Sequence, residues 1–229
     1  MISIFNLKEQ HKNSYMKEKD FSRQIETIKK DEITARLREF RQIYQSGSEE
    51  ELFAELCFCI LTPQSRAKLC WDAITRLSEN GLLFEGCADH IVQLLDGVRF
   101  KANKAKYIVA ARESFTNRDK ISIRPSLERF NDVYEIREWL AQNIKGIGFK
   151  EASHFLRNIG FGDSIAILDR HILRNLKEYG VIANIPKSMT RKRYMEIEKK
   201  MLRFAKQVSI SVAELDLLLW CKETGYIFK

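Results

Sequence analysis

Two residues of this sequence are of types, and at places, that could carry covalent chemistry: Lys150 and Asp169. Lys150 follows Gly146 and Gly148 at the point where a helical pattern begins. A lysine amine can add to an electrophilic carbon and go on to an imine. Asp169 closes the apolar run Ile165, Ala166, Ile167, Leu168. A carboxylate held there can stabilise positive charge that develops beside it. Plainer roles stand next to these. The glycine pair suits a simple helix–helix turn, and Asp169 suits the N-cap of a helix that starts at Arg170.

The elements that must position these groups are helical. The stretch from Leu140 to Ala152 predicts a helix, a sharp turn over Lys145-Gly146-Ile147-Gly148, and a second helix over Lys150–Ile159. Glycine permits a positive φ and close approach of other backbone. Amides exposed by such a turn and by the next helix's N-terminus can hold a phosphate, a contact that grips a duplex without reading its sequence. Ile144 and Ile147 would anchor the two arms together.

Elsewhere the apolar spacing is mostly helical and two-residue alternation is nearly absent, so strand content should be small. A long helix is expected from about Phe21 to Tyr44. Ser48 and Glu51 form a capping-box pattern before a nearly wholly apolar helix that ends at Pro63. Further helices are expected over Ser65–Leu77, Cys87–Leu95, Asn103–Ser114, Asp169–Glu178, Thr190–Lys206 and Ser211–Glu223. One or two short ones belong in Ser126–Trp139, after a polar link over Thr116–Pro125. The helical pattern suits two lobes, although no shift in composition marks a boundary between them.

At 229 residues the chain can bury a sizeable core. Its 39 Lys and Arg against 31 Asp and Glu leave a formal charge of +8, which favours a polyanionic partner. The stretch holding Arg191, Lys192, Arg193, Lys199, Lys200, Arg203 and Lys206 has only Glu196 and Glu198 against it. It reads as a solvated face or a phosphate contact. No apolar stretch reaches the roughly 18 residues of a membrane span, and Met1–Lys12 lacks the apolar core of a signal peptide. Cys57, Cys59, Cys70, Cys87 and Cys221 make no CxxC spacing. They read as reduced thiols of an intracellular protein, cytoplasmic or nucleoid-associated, without a zinc site or an iron–sulfur cluster.

The hairpin with Gly146, Gly148 and Lys150, followed by Leu168-Asp169-Arg170-His171, resembles the helix–hairpin–helix DNA glycosylases in order and separation. The stretch from Lys145 to Asn158 is similar to the type 2 branch of 8-oxoguanine DNA glycosylase/lyases. Leu61-Thr62-Pro63-Gln64-Ser65 resembles the family's segment that supplies a residue inserted into the DNA stack. The likeness spans roughly Leu52–Lys229. It departs from the family in two respects. The four cysteines of the cluster-bearing relatives are missing, and Lys145 stands where many relatives have proline.

The resemblance implies an all-α fold of two helical lobes with a cleft between them. Residues 50–168 would form the central lobe, and residues 1–49 and 169–229 together the other. It implies a bifunctional enzyme, a DNA glycosylase and abasic-site lyase of base excision repair acting on duplex DNA that contains 8-oxoguanine, as a monomer. Lys150 would be the nucleophile and Asp169 the charge-stabilising partner. Lys145, Gly146 and Gly148 would hold phosphates, and Gln64 would fill the space of the flipped nucleotide. Trp220 and the last residue, Lys229, would shape the base pocket, with Phe100 a further stacking surface. No cofactor or metal would be required, though a loosely held monovalent cation on the hairpin carbonyls is compatible. His171 and His154 are expected to be structural. Other damaged-base specificity on the same fold, or a non-catalytic DNA-binding hairpin module, are the alternative readings.

Overall fold

The computed structural model describes residues 29–229. The part of the expected first helix that precedes Lys29 lies outside the described residues. The helices are α1 (Lys30–Ser46), α2 (Glu49–Leu61), α3 (Ala67–Glu79), α4 (Leu82–Glu85), α5 (Ala88–Gln93), α6 (Lys101–Phe115), α7 (Arg124–Leu127), α8 (Val133–Asn143), α9 (Phe149–Asn158), α10 (Arg170–Glu178), α11 (Arg191–Gln207) and α12 (Val212–Thr224). Among the described residues the strands are β1 (Thr116–Asn117) and β2 (Lys120–Ile121), an antiparallel pair. They lie in the link expected to be irregular. No described helix is long and apolar enough to cross a membrane.

The chain divides into two compact units. One combines the described residues up to Leu37 with Ala166–Phe228, and the other takes Arg38–Ile165 together with Lys229.

The larger unit is built around α2. Ser48 and Glu51 close the expected capping box, the hydroxyl accepting from Glu51 N at 3.2 Å and the carboxylate accepting from Ser48 N at 2.6 Å. From Leu52 to Leu61 every residue except Ala54 is buried. A helix that is apolar nearly all round must be covered on every side, and α3, α6 and α9 pack on it. Each such Leu or Phe contributes about 1.5–3 kcal/mol by leaving water. Glu55 is the exception in this helix, a carboxylate only 2% exposed.

In the other unit α12 packs against α10 and α11. Ser211 and Glu214 repeat the capping box at its start, and Gly225 ends it in the left-handed conformation.

Candidate active site

The glycine-framed turn joins α8 to α9. Asp132 caps α8, accepting from Tyr134 N and Glu135 N at 2.8 and 2.9 Å. The turn then closes with Ile147 N donating to Ile144 O at 3.1 Å. Ile144 and Ile147 point into the core, while Lys145, Gly146 and Gly148 face out, as an anchored turn requires. The two glycines have different jobs. Gly146 has φ +86°, and a Cβ on it would lie 2.6 Å from the Tyr107 ring. Gly148 has φ −101° and ψ −172°, extended backbone that any residue adopts. Its N–H donates to the Glu151 carboxylate at 3.2 Å, so the protein itself supplies an anion to the N-cap amide just before α9. Beneath the turn the fully buried Arg137 lies over the Tyr134 and Phe149 rings and donates to Ser153 Oγ at 3.3 Å.

Lys150 is the second residue of α9, in the turn where helix amides point outward. Its side chain is 24% exposed, and Nζ lies 3.8 Å from Glu151 Oε1. Two buried groups, Cys59 and His154, lie close enough to feel its charge. Burial pushes the Cys59 thiol well up. Burial also holds His154 well below the ordinary histidine range, with the charges of Lys150 and Arg157 adding to the effect. His154 meets Phe58 edge-on at 5.4 Å, the packing role expected for it.

Gln64 and Phe100 lie on two exposed turns of the same unit, both in the left-handed region with φ 57° and 58°. Phe100 is 55% exposed and stands just before α6. Lys104 and Ser65 lie under both turns. Lys104 Nζ donates to Leu61 O and Pro63 O, each at 2.7 Å, and to Ser65 Oγ at 3.1 Å. Ser65 Oγ also accepts from Arg99 N at 3.0 Å.

Lys229 belongs to this unit too. Its ammonium pairs with Glu55, which also accepts from Asn158 Nδ2 at 2.9 Å. The same ammonium lies 3.3 Å from the centre of the Trp71 ring, a cation–π contact. The side chains of Lys229 and Glu55 are 9% and 3% exposed, so this is a buried ion pair.

Asp169 and Trp220 lie in the other unit. Asp169 is the N-cap of α10, with Oδ1 accepting from Ile172 N at 2.8 Å. The apolar run before it is neither helix nor strand, so its buried main-chain groups need other partners. Residues of α11 supply them. Glu198 accepts from Ala166 N at 2.8 Å. The Tyr194 hydroxyl donates to Ala166 O at 2.6 Å and accepts from Leu168 N at 3.3 Å. Glu198 is therefore not one of the acids that offset the basic face of α11, as the sequence suggested, but is only 2% exposed. Arg191, Lys192, Arg193, Lys199, Lys200, Arg203 and Lys206 are all exposed. His171 Nδ1 accepts from Arg174 Nη2 at 2.7 Å beside the Glu223 carboxylate. Trp220 meets Tyr226 edge-on at 5.1 Å.

The sequence model of the 8-oxoguanine DNA glycosylase family matches residues 33–210, a span that contains the turn, Lys150 and Asp169. The chain belongs to this family. An 8-oxoguanine DNA glycosylase/AP lyase of Fusobacterium nucleatum is 48% identical over 217 residues, covering 93% of this chain and 100% of its own length. The crystal structure of the Methanocaldococcus jannaschii 8-oxoguanine glycosylase/lyase in complex with 15mer DNA containing 8-oxoguanine superposes with a TM-score of 0.80. It is 39% identical and covers 91% of this chain and 99% of that one. The 8-oxoguanine DNA glycosylase of Thermotoga maritima gives a TM-score of 0.78 at 33% identity, covering 93% and 100%. The fold is thus the all-α helix–hairpin–helix glycosylase architecture of two helical lobes.

Within this glycosylase the larger unit holds Lys150, the hairpin, Gln64, Phe100 and Lys229, and the other unit holds Asp169 and Trp220. Four supporting residues escaped the sequence reading: Glu55, Lys104, Tyr194 and Glu198. Two of them left a signal. Lys104 falls in register with Ala105, Ile108, Ala111 and Phe115 on the buried side of α6. Glu55 interrupts the apolar run of α2. A charged residue on an apolar face is rarely left without a partner.

Proposed function

We propose that this protein is a bifunctional DNA glycosylase and abasic-site lyase that removes 8-oxoguanine from duplex DNA in base excision repair. The observation that carries this reading is the lysine on the first turn of α9, directly beyond the hairpin, in a chain that matches the family over residues 33–210.

In this reading the Gly146 turn and its exposed Lys145 hold backbone phosphates, and Gln64 takes the place of the extruded nucleotide. Trp220 and Lys229 flank the expelled base, with Phe100 a further stacking surface. As the bond from the base to C1′ lengthens, positive charge grows on the sugar and the Asp169 carboxylate stabilises it. The unprotonated Lys150 amine adds to C1′. The base leaves with the electron pair of the glycosidic bond and takes up a proton. The C1′–O4′ bond then breaks, O4′ leaves with its electron pair and takes up the proton given up by the added amine, and a protonated imine remains on Lys150. Loss of a proton from C2′ sends an electron pair toward C3′, whose bond to the 3′ phosphate breaks, and the strand is nicked. Each of these steps is served by an amine, a carboxylate and proton transfer.

Reduction with borohydride during turnover tests the assignment. The native protein should be trapped on DNA through Lys150. Lys150→Gln should bind the damaged duplex and give no adduct. A folded Lys150→Gln protein that still gave the same adduct would refute the nucleophile. Base release without any trapping would place water in that role.

A further inference from the structure

The two exposed turns that carry Gln64 and Phe100 share one buried support. An ammonium has three N–H donors, and Lys104 points all three at the first turn, to Leu61 O, Pro63 O and Ser65 Oγ. The second turn is joined to it twice. The main-chain N–H of Lys104 donates to Phe100 O at 3.1 Å, and Arg99 N donates to the same Ser65 hydroxyl. Lys104 is 4% exposed and its three acceptors include no carboxylate. A buried cation without an anion is costly, and burial accordingly holds this amine below the ordinary lysine range. The two turns are themselves strained, since a residue with a Cβ in the left-handed region costs about 1–2 kcal/mol. A buried ammonium and two strained turns, converging under two exposed side chains, are more than helix packing requires.

We infer that Lys104 is a positioning residue that presets, as one element, Gln64, which fills the opened stack, and Phe100, which offers a stacking surface to the expelled base. The inference rests on the reading of Gln64 as the residue that enters the DNA stack. Preset turns mean that the enzyme does not have to order either one as the base leaves. Loosening the support should hurt most where base pairs must be parted.

The test compares 8-oxoguanine in a fully paired duplex with the same lesion in a short unpaired bubble, under single-turnover conditions. Lys104→Met keeps the side chain's length and removes its donors. Excision from the paired duplex should fall about tenfold or more, since a misplacement of about 1 Å can cost up to about 100-fold. Excision from the bubble should fall much less. Fluorescence of 2-aminopurine opposite the lesion, which reports unstacking, should drop with it. Lys104→Met combined with Gln64→Ala should be little worse than Gln64→Ala alone, as expected for residues acting through one element. If melting shows Lys104→Met to be unfolded, Ser65→Ala carries the test. It cuts the link to Arg99 and should give the same selective loss, smaller in size. Equal losses on paired and bubble substrates, or losses that multiply with Gln64→Ala, would overturn the inference. Gln64→Ala with paired-duplex excision intact would instead sink the insertion reading itself.

Discussion

Asp169 gives the protein two separable things, a cap and a charge, and replacing it by asparagine takes away only the second. Its Oδ1 accepts from Ile172 N at 2.8 Å at the start of α10. Asparagine carries an oxygen at the same reach and caps helices about as well. The stability lost by Asp169→Asn is then that of a negative charge at the positive end of a helix, about 0.3–1 kcal/mol. Asp169→Ala loses the cap as well, about 1 kcal/mol more. In a chain of 229 residues, 1 kcal/mol moves the melting midpoint by about 2–4 °C. Asp169→Asn should therefore melt no more than about 4 °C below the native protein. Its chemistry should suffer far more. Removing one preorganised group that stabilises transition-state charge costs about 2.7–4 kcal/mol, or about 100- to 1,000-fold in rate. Single-turnover release of 8-oxoguanine from a duplex, measured beside thermal melting by circular dichroism, separates the two effects. Near-native turnover in Asp169→Asn would refute the electrostatic role. A collapse in melting temperature alongside lost turnover would mean that the cap, and not the charge, explains the defect.

Gly146→Val should weaken binding to damaged and undamaged duplexes alike, because φ +86° and the Tyr107 ring 2.6 Å from the new Cβ both oppose it. Gly148→Ala should be milder, and equal effects in a gel-shift titration would remove the distinction drawn between the two glycines. Deleting Lys229 leaves Glu55 buried with Asn158 still donating to it. The fold should survive while the excision ratio of 8-oxoguanine to guanine falls; an unchanged ratio excludes the terminus from recognition. His154 stays neutral in the fold because burial holds it well below its ordinary range. Below about pH 6.5 the unfolded chain binds a proton that the folded chain refuses. The unfolded state then holds more protons, so stability rises with pH across that window, by up to about 1.4 kcal/mol per unit. Denaturant titrations from pH 7.5 to 5 should show this acid-side loss in the native protein and a flatter profile in His154→Leu. Parallel profiles would rule out His154 as its source.

The parts of the molecule legible in the sequence are those that local chemistry decides. Ser48 and Glu51 announce the start of α2, Ser211 and Glu214 that of α12, and Asp169 caps α10 three residues before its partner amide. Lys150 at a helix start follows from the turn that precedes it. What was not legible depends on residues distant in sequence. Glu198 looks like an ordinary surface acid among lysines, and only the non-helical run before Asp169 explains its burial. Lys104 reads as one more basic residue until the carbonyls of Leu61 and Pro63 are seen above it. The glycine pair looked symmetrical, yet only Gly146 needs to lack a side chain, because Tyr107 comes from another helix. Thr116–Asn117 and Lys120–Ile121 pair as strands too short to show any alternation.

The irregular run from Ile165 to Leu168 depends on α11 in a way that affects synthesis as well as structure. Its main-chain partners, Tyr194 and Glu198, lie 26 to 32 positions further along the chain. A growing polypeptide folds from its N-terminal end first, and the run is made before the residues that complete it. Until they follow, Ala166 and Leu168 lack their side-chain partners, and Asp169 is held by its own helix cap alone. Lys150, the proposed nucleophile, and its hairpin belong to a unit whose helices are all made earlier. The helices around the proposed grip on phosphates can therefore form before the run that leads to the proposed charge-stabilising acid is secured.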